Sequence, residues 1–209
     1  MTETKYFTIA GSVDTEMEIS RSRFLTRLER VDSEEAARAV IAEVRAEHPK
    51  ARHHCSAFVL GAGARIQRSN DDGEPSGTAG APMLDALLGA ELCDVVAVVT
   101  RYFGGVLLGA GGLTRAYRGA VAQAVAAATR QAREKLTAVE VVSDYDVAPI
   151  IEAEARRRQY IVGGAQYTAH VTQEFLLRDD EIDSLRALSA EASAGRAAVT
   201  LGETRFTDV

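Results

Sequence analysis

In the first part of the chain, hydrophobic residues recur first at the spacing of β-strands and then at the spacing of an α-helix. Residues 6–9 are rich in side chains that suit a pleated sheet, and apolar and polar positions alternate over 16–20, so both segments are predicted as strands. A third strand is predicted over 24–31. After Asp32 the apolar residues recur at helical spacing, which predicts an amphipathic helix. Its apolar stripe is Ala36, Val40, Ile41 and Val44.

The boundaries of this helix follow from capping chemistry. Asp32 is the predicted N-cap, because Glu35 follows three residues later as in a capping box. Pro49 ends the helix, since the residue before a proline disfavours helical backbone. A further strand is predicted over 57–60.

The middle of the chain contains two segments dense in turn-forming residues. Residues 69–82 are predicted as a loop followed by a short helix over 83–88, with Ser76 or Thr78 as its cap. The apolar run 95–99 predicts a strand buried on both faces. A glycine-rich loop over 104–112 and a long helix over 113–131 are predicted to follow.

The last third of the chain has the order of a split βαβ domain. Strand, helix, two strands, helix and strand are predicted at 136–142, 147–159, within 161–177, at 181–192 and at 197–206. Asp179 or Asp180 is the predicted cap of the second helix. This βαββαβ order predicts a ferredoxin-like domain. Two domains are therefore predicted, 1–134 and 135–209.

Composition narrows the class of protein. The 209 residues are 46% hydrophobic and 26% charged, which is typical of a globular protein and excludes disordered and collagen-like chains. No apolar run approaches the roughly 20 residues of a membrane span, and no secretory signal is visible. Two cysteines are too few for a disulfide scaffold. These features predict a reducing, cytoplasmic location and no membrane partner.

Charge argues against one class of activity. The net charge is −6, with −1 over residues 1–134 and −5 over 135–209. Strong, non-specific nucleic-acid binding depends on neutralising phosphates and is not expected. A local basic patch stays compatible with this balance.

The first informative loop places three carboxylates and two hydroxyls within eight residues. They are Asp71, Asp72, Gly73, Glu74, Pro75, Ser76, Gly77 and Thr78. Closely spaced carboxylates are able to hold a hard cation or to raise one another's pKa for acid–base chemistry, which makes Asp71, Asp72 and Glu74 candidate catalytic residues. The simpler interpretation is a cluster of turn and capping residues, and spacing alone favours it. The loop lacks the ligand spacing of an EF-hand, and no metal or cofactor is predicted.

The second informative loop is flanked by a strand and a helix. Glycine-rich backbone at a helix start exposes amide N–H groups to an anion, and nearby arginines add charge. The candidate anion- or partner-binding residues are Arg101, Tyr102, Gly104, Gly105, Gly109, Gly111, Gly112, Arg115 and Arg118. Neither the Rossmann nor the Walker A fingerprint fits. Tight packing of the glycines is an equally good explanation.

Two smaller motifs are weaker candidates. His53-His54-Cys55 offers ligand atoms, but neighbouring residues of a strand point to opposite faces. His54 alone is able to pair with a distant group such as Asp71 or Asp72, and a structural histidine is the preferred interpretation. Arg156-Arg157-Arg158 is predicted as a solvated helix end.

The long motifs resemble a known family over essentially the whole chain. The resemblance is carried by Ser22-Arg23-Phe24, His53-His54-Cys55, Asp71 to Gly80 with Pro82, Arg101 to Gly105, Gly109 to Leu113 and Arg115-Ala116-Tyr117. These stretches resemble the IMPACT/YigZ family. The resemblance implies an α+β fold: a β-sheet with helices on one face, like the second domain of a small-subunit ribosomal protein, and a ferredoxin-like domain similar to the last domain of elongation factor G.

Two functions from different classes stay open. The resemblance implies a non-enzymatic binding protein in translation or its stress control, which contacts the ribosome, RNA or a protein partner through the glycine-rich loop. The alternative is a metal-assisted hydrolase or phosphoryl-group enzyme, in which Asp71 and Asp72 hold a metal and Gly104 to Gly112 cradle a phosphate. The alternative requires the two loops to share one cleft.

Overall fold

The computed structural model describes residues 3–209, which divide into two compact units. The first contains residues up to Arg133 together with Val209, and the second is Glu134–Asp208. The mixture of antiparallel sheets and five helices confirms the predicted α+β class. The identity of the units as the two domains implied by the resemblance stays a prediction. Within residues 3–209, no helix is long and apolar enough to cross a membrane.

The first unit is built on an antiparallel five-stranded sheet. Its elements in chain order are β1 (Lys5–Ile9), β2 (Val13–Ile19), β3 (Ser22–Arg30), α1 (Glu34–Glu47), β4 (His53–Leu60), β5 (Ile66–Asn70), α2 (Gly80–Gly89), β6 (Val95–Tyr102) and α3 (Gly109–Ala127). The strand order is β2-β3-β6-β4-β5. β1 is bridged at Phe7 to Leu92, outside this sheet.

Helices cover both faces of this sheet. Val96 and Val98 of β6 pack with Val40 and Val44 of α1. Arg101 lies on the opposite face of β6, because alternate residues of a strand point to opposite faces, and there Phe24 of β3 meets Tyr117 of α3 with ring centroids 5.3 Å apart. The helices-on-one-face arrangement is therefore wrong. Covering both faces explains why β6 is almost uniformly buried.

Several predicted helix starts are wrong by one to four residues. Ser33, not Asp32, caps α1, and its hydroxyl accepts a hydrogen bond from the Ala36 N–H. Pro82 lies inside the first turn of α2, where a missing N–H costs nothing. α3 already begins at Gly109, within the predicted glycine loop, and ends at Ala127.

The second unit has the predicted βαββαβ order. Its elements are β7 (Arg130–Ser143, with its first four residues in the first unit), α4 (Ala148–Arg157), β8 (Ile161–Tyr167), β9 (Val171–Leu177), α5 (Ile182–Ser193) and β10 (Ala198–Asp208). In its sheet β7 pairs with β9, β9 pairs with β8, and β10 also pairs with β7. These pairings are compatible with the ferredoxin-like domain, which stays a prediction. Glu181, rather than Asp179 or Asp180, occupies the N-cap of α5. Arg156 forms an ion pair with Glu152, and Arg157 and Arg158 both pair with Glu154.

Candidate functional site

The carboxylate of Asp71 caps a helix that begins nine residues later. It accepts hydrogen bonds from the backbone N–H groups of Gly77 at 2.8 Å, Ala79 at 3.0 Å and Gly80 at 2.8 Å. Burial alone raises the pKa of Asp71, but these three donors outweigh it and hold the pKa below its ordinary value. The predicted cap of α2 by Ser76 or Thr78 is wrong, since the Thr78 hydroxyl donates to the Pro75 carbonyl.

Replacement of Asp71 by asparagine tests this capping role. We expect the free energy of unfolding to fall by about 1–2 kcal/mol near neutral pH, because the N–H groups lose a charged acceptor. A lowered folded-state pKa stabilises above the unfolded pKa of about 3.9, and this contribution disappears as the pH falls through the folded value. The gap between wild type and variant, measured by urea unfolding, therefore closes towards low pH. Ser76→Ala is the exposed control, and a gap independent of pH contradicts the prediction.

Asp72 connects the same loop to β4 and α1. Its carboxylate accepts from the backbone N–H of His54 and from the Arg45 guanidinium, both at 2.7 Å. Its carbonyl lies 2.9 Å from His53 Nδ1. The His54 ring is buried, with Nε2 3.1 Å from the His48 carbonyl, so His54 has the structural role preferred from the sequence.

Glu74 reaches from the loop into the interior. It forms an ion pair with Arg101 and accepts a hydrogen bond from the Tyr117 hydroxyl, both at 2.7 Å. All three side chains are buried. The pKa of Tyr117 is raised mainly by burial, and further by the neighbouring Cys55 and Glu74. The Glu74–Arg101–Tyr117 cluster therefore links the loop to β6 and α3 across the core.

These partners leave the enzymatic hypothesis unsupported. Asp71, Asp72 and Glu74 are each committed to different donors, and none of them lines the cavity that contains Phe103 and Leu107. No group of three or more His, Cys, Asp or Glu side chains in residues 3–209 is placed to hold a metal ion. Cys55 is a buried free thiol whose pKa burial raises to about 12, which disfavours the nucleophilic thiolate.

The glycine motif divides into a short loop and a helix start. Gly104 lies against the backbone of Arg21 and Ser22, where a Cβ would overlap main-chain atoms, and its N–H donates to the Ser22 hydroxyl at 3.1 Å. Tight packing therefore explains Gly104. Gly109, Gly111 and Gly112 form the first turn of α3, whose N-terminus receives no side-chain cap in the described part of the chain.

The loop between β6 and α3 presents an apolar tip to solvent. Phe103 is 56% exposed and Leu107 is 87% exposed, values far from those of core residues. Both line an open cavity of about 640 Å³, together with Lys50 and Arg52. The register of β4 on β6, with His53 opposite Arg101, brings these cations beside the loop.

The arginines named from the sequence differ in availability. Arg101 is buried in its pair with Glu74 and adds no surface charge, contrary to expectation. Arg118 is paired with Asp85 at 2.7 Å. Arg115 is exposed and, over residues 3–209, has no ion-pair partner.

The cavity and its cations form what we call the basic–apolar surface, which consists of Lys50, Arg52, Phe103 and Leu107. We include in it Arg21, whose backbone contacts Gly104, and Arg115 near the start of α3. Its four cationic side chains are exposed and without ion-pair partners in the portion of the chain that the structure covers. The sequence pattern did not indicate Lys50, Arg52, Phe103 and Leu107 as functional residues. The only local sign of a basic surface was the Lys-Ala-Arg triplet directly before β4. The pairing of β4 with β6 is needed to show that these cations lie beside the loop that contains Phe103.

Comparison with known proteins supports the family resemblance that the sequence motifs indicate. The family model described as the Impact N-terminal domain matches residues 20–125. The IMPACT family member YigZ of Escherichia coli is 42% identical over 89% of this chain and 92% of its own, and the IMPACT family member YvyE of Bacillus subtilis is 38% identical over 96% and 93%. The chain belongs to the IMPACT family. The predicted family resemblance is confirmed.

A solved structure is also similar to this chain in sequence and fold. A crystal structure titled as that of a hypothetical protein is 39% identical to this chain, covers 96% of it and 98% of its own length, and superimposes with a TM-score of 0.64. Over nearly its whole length, this chain thus shares sequence with IMPACT family members and fold with that solved structure. The residues of the basic–apolar surface lie inside or beside the matched family domain.

Proposed function

We propose that this IMPACT family member is a non-enzymatic RNA-binding protein of the translation apparatus, acting in the cytoplasm and contacting ribosomal RNA through the basic–apolar surface. The observation that carries the proposal is the cluster of unpaired cations around an exposed aromatic loop. Lys50 and Arg52 share a cavity with Phe103, and no carboxylate lines that cavity. RNA-binding surfaces commonly combine cationic side chains, which contact phosphates, with exposed aromatic side chains, on which bases stack.

The overall acidity of the protein is compatible with this proposal. The excess negative charge lies mainly in residues 135–209, whereas Asp72 and Glu74 of the first unit are engaged by Arg45 and Arg101. A small number of phosphate contacts gives modest affinity with a clear dependence on salt. RNA is favoured over an acidic protein because a flat, exposed phenylalanine offers a stacking platform for bases.

Co-sedimentation with ribosomes tests the proposal. We expect the purified protein to sediment with ribosomes at low salt and less so at moderate salt. Lys50→Glu with Arg52→Glu is expected to weaken association at least tenfold and to reduce the slope of log affinity against log salt by about one unit per lost phosphate contact. Filter binding to protein-free ribosomal RNA is the companion measurement.

Arg65→Glu with Arg68→Glu is the matched control. It makes the same charge change on exposed side chains of the same unit. Arg65 lies in the β4–β5 connection at the other end of β4, and Arg68 lies in β5, opposite Phe58 and 3.6 Å from Glu34. Equal losses in both double variants, or ribosome association without any binding to the free RNA, contradict the proposal. The second outcome assigns the surface to a ribosomal protein instead.

A further inference from the structure

The cavity in the basic–apolar surface has the features of a base-binding site. From these we infer, on the basis of the proposed function, that its ligand is single-stranded RNA with one unpaired base inserted beside Phe103. The cavity of about 640 Å³ has aromatic and aliphatic walls from Tyr102, Phe103 and Leu107, and a cationic rim from Lys50 and Arg52. A nucleotide combines the same two parts, an apolar base and an anionic phosphate.

The Phe103 ring is held in position from the protein side. The Arg101 guanidinium carbon lies 5.6 Å from the Phe103 centroid and 5.6 Å from that of Phe24, so the cation sits between the two rings. Arg101 is in turn fixed by its buried pair with Glu74. The Phe103 ring therefore packs on a buried, ion-paired arginine, and more than half of Phe103 stays exposed to a ligand.

His53 adds a polar group to the same cavity. Its Nδ1 lies 2.9 Å from the Asp72 carbonyl, which only accepts hydrogen bonds, so Nδ1 is the donor. In the neutral ring Nε2 is then an acceptor, and no partner for it is found in residues 3–209. An acceptor on a residue that lines a nucleotide-sized cavity suits an exocyclic amine of a base or a ribose 2′-hydroxyl, the group by which a protein distinguishes RNA from DNA.

Duplex RNA does not fit this arrangement. In a duplex the bases are stacked and paired, and their faces are unavailable to a side chain. A single strand exposes each base to Phe103 while its phosphates reach Lys50 and Arg52. The geometry therefore predicts a preference for single strands that charge alone does not produce.

Fluorescence anisotropy with three labelled probes tests the inference: a uridine oligonucleotide of about ten residues, the deoxyuridine oligonucleotide of equal length, and an RNA duplex of equal length. We expect the RNA single strand to bind most tightly. Phe103→Ala is expected to weaken its binding about 5- to 100-fold while leaving duplex binding unchanged. Val106→Ala is the control in the same loop, since Val106 is exposed but does not line the cavity.

The outcomes separate the inference from the proposed function. If Lys50→Glu with Arg52→Glu weakens binding of every RNA and Phe103→Ala weakens none, base insertion is overturned while RNA binding stands. If no probe and no ribosomal RNA binds, the proposed function itself fails. Equal affinity for the RNA duplex and the RNA single strand also overturns the inference. Urea unfolding of each variant establishes that lost binding does not reflect lost folding.

Discussion

Replacing Glu74 by glutamine is expected to lower the free energy of unfolding by about 3–5 kcal/mol, the cost of leaving one partner of a buried ion pair uncompensated. Glu74 and Arg101 are each less than one-tenth exposed, and their charged atoms lie 2.7 Å apart. Glutamine keeps the volume of the side chain and an acceptor for Tyr117, so the loss reports the charge. Urea unfolding followed by circular dichroism measures it.

The Arg118–Asp85 pair is the matched control, because it has the same 2.7 Å separation but more than half of each side chain is exposed. Asp85→Asn is expected to cost no more than about 1 kcal/mol. The double variant Glu74→Gln with Arg101→Met is expected to be more stable than the sum of its single variants implies, since it leaves no unpaired charge in the core. Additive losses, or a loss equal to that of Asp85→Asn, contradict the argument.

Gly104→Ala is expected to lower the free energy of unfolding by about 3 kcal/mol or more, because the new methyl group has no room and the main chain must move. The obstacle is the backbone of Arg21 and Ser22, which cannot rotate away as a side chain does. The displaced loop also weakens the hydrogen bond from the Gly104 N–H to the Ser22 hydroxyl. The shift in the urea midpoint gives the size of the effect.

Gly105→Ala separates crowding from conformational strain. Gly105 has a φ of +86°, but a Cβ there meets no atom within 4 Å. Its replacement is expected to cost about 1–2 kcal/mol, the price of left-handed backbone in a residue with a side chain. If both alanine variants lose the same stability, close packing is not the reason for glycine at position 104.

Periodicity was sufficient to predict most elements but not where the helices begin. The strand over 95–99 was evident because an apolar β-branched run is typical of a strand covered on both faces. The start of α2 was not evident, because its cap is the carboxylate of Asp71. Asp71 lies nine residues before the helix, outside the positions where a local cap is sought. The glycines at 109–112 also favoured a loop, although α3 tolerates them in its first turn.

The candidate site was predicted in part, for a related reason. The two conspicuous loops were recognised from their turn residues, and alternation along β6 already places Arg101 on the same face as Val99. Its burial depends on Glu74, however, and no local pattern connects these two residues. Lys50 and Arg52 were missed because only the pairing of two strands distant in sequence brings them beside Phe103.

The acidic loop has a consequence for the cost of recognition. Between β5 and α2 the chain has nine residues without regular structure, yet Asp71, Asp72 and Glu74 attach it to α1, α2 and α3, to β4 and to β6. Flexible surfaces lose conformational entropy when a ligand orders them, and that loss reduces affinity. Here the ordering is completed during folding, since Glu74 fixes Arg101 and Arg101 supports Phe103. The loss of conformational entropy at this surface therefore accompanies folding, and ligand binding does not have to include it.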